Sequence, residues 1–264
     1  MVNPNDLKEI IYNISKKIIV PSFGNLKSNQ ITYKNEKDIV TEIDFAVELE
    51  LSISLTKLVH NADFIGEELY AKNPSILKNY LSDNYCWTVD PIDGTSNFAK
   101  SKDRFAVMVA LTKNKKILQS FIYKPITEEF MYADNTATFL DNKKIKLNKY
   151  TEIQNCIGSI STKYWDEAKK TKLLTIKNNF GNINSYGSIG CEYFDIALGK
   201  RDFALLSRLY PWDHIPGVFI VRQAEGHDCH FDKIAYKFYE ESKNLIVSNS
   251  EKLSYEILNL IGEK

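Results

Sequence analysis

The chain has 264 residues, enough for one large or two modest domains with a sizeable core. Lys+Arg and Asp+Glu both number 34, so the formal net charge is zero. That balance excludes a global field drawing in nucleic acid or an anionic membrane, and an anionic ligand has to be captured locally. No apolar run approaches the roughly 20 residues of a membrane span, and Met1-Val2-Asn3-Pro4 lacks the basic and apolar regions of a signal peptide.

Leu7, Ile10, Ile11, Ile14 and Ile18 recur at helical spacing, and Pro21 to Gly24 end that helix. A second helix starts near Thr41, whose acid three positions on makes a capping box; Phe45, Leu49, Ile53 and the Leu55–Val59 stretch supply its apolar face. Asp63 to Gly66 reads as a short strand delivering Glu67 and Glu68, and residues 70–84 as a loop with one short helix. A β-branched run, Thr88 and Val89, ends at Asp90 because Pro91 cannot donate to a sheet ladder. Asp93 follows, with Gly94 and Thr95 as a tight turn into a helix. Phe105–Thr112, Ile117–Tyr123, Glu129–Ala133 and Ala137–Leu140 then form an antiparallel meander.

After Asn148 helices and strands alternate. Strands are expected near Cys156–Ser161, Asn182–Tyr186, Asp202–Ser207, His227–Phe231 and Leu245–Ser248. Helices are expected near Trp165–Asn178, Gly190–Leu198 with Gly199 as its stop, Asp213–Glu225 and Glu251–Ile261. The change of pattern implies two α/β-type domains, residues 1–148 and 149–264. Cys86, Cys156, Cys191 and Cys229 have no Cys-x-x-Cys pair and read as reduced, buried thiols of a cytoplasmic protein. His227, Cys229 and His230 lack a second ligand pair at zinc-finger spacing and are not read as a metal site.

Trp87-Thr-Val-Asp-Pro-Ile-Asp-Gly-Thr-Ser-Asn-Phe98 carries the most chemistry. Two carboxylates crowd one strand end beside the N–H groups of a turn. Like charges that close repel, so the pattern suits divalent cations between them, and an all-oxygen donor set favours Mg²⁺. The plainer alternative is an Asp-Gly turn capped by Asp90. Asp38-Ile-Val-Thr-Glu-Ile-Asp44, Gly66-Glu67-Glu68 and Trp212-Asp213-His214-Ile215-Pro216-Gly217 break the tie. With the central segment they resemble the inositol monophosphatase family of Mg²⁺-dependent, lithium-sensitive phosphomonoesterases. Its signatures D-x-V-T-x-x-D, G-E-E, D-P-[IL]-D-G-T and W-D-x-x-[AG]-G occur here in order, and the resemblance covers the chain from about Pro4 to Leu260.

The resemblance implies an α/β fold of layered αβαβα type, inositol monophosphatase/fructose bisphosphatase-like. Its N-terminal half is an antiparallel sheet, its C-terminal half mixed, and the active site lies between them. It implies hydrolysis of a small phosphate monoester by metal-activated water, with two or three Mg²⁺ ions held by Glu67, Asp90, Asp93, Asp213 and the Ile92 carbonyl. Asp213 has the simpler alternative of a helix N-cap. Thr95 pairs with Asp44 to orient or deprotonate the water, Glu67 takes part in the chemistry, and Gly94 and Thr95 N–H groups face the phosphate. For Asp44 the commoner use of its spacing is the capping box alone. Glu68, Asp38 and Lys34 are secondary candidates. Gly187 and Ser188 form a substrate-side turn; counting from it to Trp212, the position of the family's inositol-contacting acid falls on Leu206. Arg208 and the basic turn Lys100, Lys102, Arg104 either meet a second anion on the substrate or are solvated surface. The resemblance also implies a cytoplasmic homodimer acting on a small molecule, without membrane or nucleic acid. The alternatives are a 3′-phosphonucleotide or fructose bisphosphate phosphatase on the same fold, or a non-catalytic regulatory partner.

Overall fold

The computed structural model describes the chain apart from residues 36, 37, 148, 149 and 264, and the side chains of 34, 35 and 38 also lie outside the description. The expected junction at Asn148 and the side chains of Lys34 and Asp38 therefore lie outside the described residues. The layers are helix, sheet, helix, sheet, helix, as the family resemblance implied.

The outer helical layer begins with α1 (Pro4–Ile14), capped by Asn3, which runs through a π-helical turn (Ser15–Ile19) into α2 (Val20–Ser22). A hairpin of β1 (Ile31–Asn35) and β2 (Asp38–Thr41), not anticipated from the sequence, leads into α3 (Glu42–Leu58). Thr41 caps α3 as expected, but the buried face is Ile43, Val47, Leu51 and Leu55 rather than Phe45, Leu49 and Ile53. Leu49 is 61% exposed. Both series recur every four residues, so periodicity alone does not choose between them. Asp44 and Glu48 share the buried side, where Asp44 meets the Thr95 hydroxyl and Glu48 the Glu68 and Leu69 N–H groups.

The first sheet has seven strands in chain order: β3 (Asp63–Gly66), β4 (Tyr85–Asp93), β5 (Ala106–Lys113), β6 (Lys116–Lys124), β7 (Glu129–Asp134), β8 (Thr138–Leu140) and β9 (Lys143–Ile145). All pairs are antiparallel except β3 with β4. Short α4 (Glu67–Lys72) follows β3, and α5 (Thr95–Ala99) follows β4. Val89, Val107, Val109, Phe121 and Phe130 pack one sheet face on α1 and α3, while Ala106, Met108, Ile122 and Met131 face the central helices.

Those central helices are α7 (Ile189–Ala197) and α8 (Pro211–Gln223). The second sheet, in order β11, β10, β12, β14, β13, covers their other side. Its strands are β10 (Ile157–Ile160), β11 (Asn182–Ile183), β12 (Phe203–Leu206), β13 (His227–Cys229) and β14 (Leu245–Ser248), and α6 (Glu167–Ile176) and α9 (Glu251–Ile261) close the last layer. The α8 helix starts two residues before the expected Asp213, with Pro211 in its first turn, so Asp213 is inside the helix and Tyr210 is the N-cap. Among the described residues no helix is long and apolar enough to cross a membrane.

Candidate active site

The β4 strand does not stop at Asp90. It continues to Asp93 with an irregularity, because Asp90 pairs with Met108 and Asp93 with Ala106. Three steps on β4 match two on β5, a one-residue bulge that accommodates Pro91. In a regular strand residues 90 and 93 point to opposite faces; the bulge turns both toward the central helices. There Asp90 meets Asp213 from α8 and Glu67, the first residue of α4. One carboxylate oxygen from each lies within 4.8 Å of the others. Gly94 then takes the left-handed conformation, φ 92°, that turns the chain into α5.

Glu67 is placed by a residue that sequence reasoning missed. The buried Glu48 carboxylate accepts the N–H groups of Glu68 and Leu69, both at 2.8 Å, and anchors the start of α4. A Cβ on Gly66 would meet that carboxylate at 2.3 Å, which explains the glycine of Gly-Glu-Glu. Glu48 stands four residues after Asp44 on α3, the one sequence signal that links them.

Asp93 stands outside the acid triad. It accepts the Ser188 hydroxyl and the N–H groups of Ile189 (3.1 Å) and Gly190 (2.7 Å), tying the bulge to the first turn of α7. Thr95 Oγ1 lies 3.1 Å from Asp44 Oδ1 and 3.0 Å from the Ile92 carbonyl oxygen, so its single proton serves two acceptors. The other Asp44 oxygen accepts the Thr41 N–H (2.8 Å) and hydroxyl (2.6 Å). Asp44 thus both closes the capping box and touches Thr95.

Burial raises Asp44, Glu48, Asp90 and Asp93. Asp44 and Glu48 are each pushed up to about 7, mainly by desolvation. Asp93 rises to about 6 despite its three donors. Asp90 goes well above the ordinary carboxylate range through burial and the charges of Glu67, Asp93 and Asp213. Raised acids bind protons more tightly when folded, so their contribution is complete below pH about 4 and is lost as pH rises toward about 7. The metal-free protein is therefore expected to lose stability across that window, by about 1 kcal/mol per pH unit for each such group. Thermal unfolding in EDTA at pH 5 and 8 reads this directly. Mg²⁺ should flatten the slope; a pH-independent midpoint in EDTA would contradict it.

A cavity of about 670 Å³ takes in Glu67, Asp90, Ile92, Asp93, Gly94, Thr95, Gly187, Ser188, Leu206, Arg208 and Asp213, so the expected site residues other than Asp44 line one cleft. Asp44 joins it through Thr95. Lys100, Lys102 and Arg104 do not line it; Lys100 donates to Ser96 and Arg104 stacks 4.2 Å from the Tyr186 ring centroid. Glu68 is buried beside Glu67. His227 engages Ser254, and His230 engages Ser242 and the Asn244 carbonyl. The four cysteines are free and buried.

Clustered hard-oxygen acids at the mouth of a layered αβαβα sandwich define a class: hydrolases that work on phosphate esters with divalent metal. The sequence model of the inositol monophosphatase family matches residues 7–263, and the chain belongs to that family. It is 27% identical over 230 residues to a fructose-1,6-bisphosphatase/inositol-1-monophosphatase of Thermotoga maritima, covering 86% of this chain and 84% of that protein. Inositol monophosphatase 3 of Solanum lycopersicum is 29% identical over 234 residues, 86% and 85% of the two chains. The fold matches the solved IMPase of Thermotoga maritima with a TM-score of 0.84 at 23% identity, over 98% and 96% of the two chains. The protein is a phosphatase of phosphate monoesters, and its family implies dependence on a divalent metal.

Proposed function

We propose that this chain is a Mg²⁺-dependent phosphomonoesterase whose ions are held by Glu67, Asp90, Asp213, the Ile92 carbonyl and a remaining lone pair of Asp93. The observation that carries this is the convergence of three carboxylates within 4.8 Å in the cleft lined by Thr95, whose hydroxyl touches Asp44. The donor set fits the metal, since every group offers a hard oxygen and none a sulfur or nitrogen. When bound, such ions neutralise phosphate, lower the pKa of water and stabilise the departing oxygen. The chain's own groups do the rest. Thr95 Oγ1 orients the attacking water, and Asp44 Oδ1, with its pKa near 7, takes the proton through that hydroxyl. The N–H groups of Gly94 and Thr95 open α5 toward the phosphate, and the Gly187–Ser188 turn borders the substrate.

The same reading divides the chain into residues 1–148, with most ligands, and 149–264, with Asp213 and the substrate-selecting residues, and makes the protein a cytoplasmic homodimer. It also carries lithium sensitivity. Phosphate release is expected to need Mg²⁺, to stop in EDTA and to fall with Li⁺ or excess Mg²⁺; activity indifferent to Li⁺ removes lithium from the reading, and activity in EDTA removes the metal.

Inositol 1-phosphate is expected to be a poor substrate. Leu206, buried at the end of β12, lines the cavity where an acid would accept ring hydroxyls. A hydroxyl buried without a partner costs roughly 1–3 kcal/mol, about 5- to 150-fold in kcat/KM. Leu206→Glu should raise kcat/KM for inositol 1-phosphate relative to other sugar phosphates. If inositol 1-phosphate proves the best wild-type substrate, Leu206 does not select against it.

A further inference from the structure

Neither Arg104 nor Tyr186 lines the cavity, yet together they hold the turn that does. The guanidinium carbons of Arg104 and Arg201 each lie 4.2 Å from the Tyr186 ring centroid. Two cations from distant parts of the chain thus grip one ring. Arg201 is buried, and its terminal nitrogens donate to the side-chain and backbone oxygens of Asn184. The Tyr186 hydroxyl donates to Asp195 of α7 at 3.0 Å.

The backbone of Tyr186 is held too. Its N–H donates to Glu192 at 2.8 Å, and its carbonyl accepts the Asn97 amide at 2.8 Å. The same Asn97 nitrogen donates to the Arg104 carbonyl at 2.7 Å. One α5 side chain therefore bridges the two residues whose side chains stack.

What the grip holds is the next turn, Gly187–Ser188, which borders the cavity. Ser188, Ile189 and Gly190 supply the three donors to Asp93. On its other side the turn is packed against the start of α5. A Cβ on Gly94 would meet Ser188 at 2.9 Å, the Arg104 carbonyl at 3.1 Å and the Gly187 carbonyl at 3.3 Å. Movement of residues 186–188 would therefore shift the donors of Asp93 and the wall beside Gly94 together.

We propose that Arg104 and Tyr186 are positioning residues. Their stack sets the Gly187–Ser188 turn, and through it the aim of Asp93 at Mg²⁺ and the fit of phosphate against the Gly94 N–H. This rests on the metal-assisted phosphatase reading above. The expected signature is weaker binding of ion and substrate, with turnover retained once both saturate.

Phosphate release from glycerol 2-phosphate and the Mg²⁺-induced rise in thermal midpoint are measured for wild type, Arg104→Gln, Arg104→Lys, Tyr186→Leu and Tyr186→Phe. Arg104→Gln, at an exposed position, should raise the Mg²⁺ half-saturation and KM by about 2- to 5-fold, the size of one exposed cation–π contact. Tyr186→Leu loses both contacts and should raise them by roughly 5- to 30-fold. With both saturating, kcat should stay within about two-fold of wild type. The Mg²⁺-induced rise in midpoint, read without turnover, should shrink in both variants. Tyr186→Phe keeps the ring and Arg104→Lys keeps a cation, so each should lie closer to wild type than its partner variant. Wild-type half-saturation and KM in Arg104→Gln and Tyr186→Leu, or a loss of kcat alone, overturn this proposal and leave the phosphatase reading standing. Should Tyr186→Leu fail to fold, Arg104→Gln decides by itself. A wild type that releases phosphate without Mg²⁺ and gains no stability from it overturns the metal reading and this proposal together.

Discussion

Asp90→Asn is expected to reduce Mg²⁺-dependent phosphate release by roughly 10³-fold or more and, at the same time, to stabilise the metal-free protein. The first effect follows from Asp90 being the buried member of the triad with Glu67 and Asp213. Losing its charge removes a hard ligand from a metal that supplies several kcal/mol of charge stabilisation. The second follows from the same geometry. Burial and four neighbouring acids hold the Asp90 carboxyl well above its ordinary range, so at pH 8 its ionised form opposes folding. Asparagine keeps the shape and can still accept the Ile92 N–H, now 3.0 Å from Asp90 Oδ1. Thermal unfolding in EDTA at pH 8 should show a midpoint a few degrees above wild type, and Mg²⁺ should no longer raise it. Near-wild-type turnover at saturating Mg²⁺ would remove Asp90 from the metal site.

Thr95→Ala should lower kcat by about 10²-fold with little change in KM. The hydroxyl reaches both Asp44 Oδ1 and the Ile92 carbonyl, so it connects the group with a pKa near 7 to the ligand loop. Removing it leaves Asp44 held by Thr41 but cut off from the water. Thr95→Ser keeps the hydroxyl and should recover most of the rate, whereas a loss confined to KM would make Thr95 a binding residue only.

Much of this molecule is readable in one dimension. The α9 helix has the bounds expected of it, Glu251–Ile261, and the Thr41–Asp44 capping box is present as spaced. The acids of the site stand in local patterns, within a few residues of a strand end or helix start. Residues missed by sequence reasoning act through contacts distant in the chain: Glu48 with the Glu68 and Leu69 N–H groups, Tyr193 with His214, and Glu192 with Ser159. Nothing in their immediate neighbours marks them.

The order and spacing of the motifs, through the family resemblance they carry, determined the fold class and the phosphatase chemistry, while caps and turns were legible because they act within a few residues. Tertiary structure alone decided which way the acids of the site face. The extra β4 residue opposite β5 turns Asp90 and Asp93 to one side, and the rotation of α3 buries Val47 and Leu51 instead of exposing them in place of Leu49. Register and helix rotation are set by pairing and packing between segments far apart in the chain, which local periodicity does not encode.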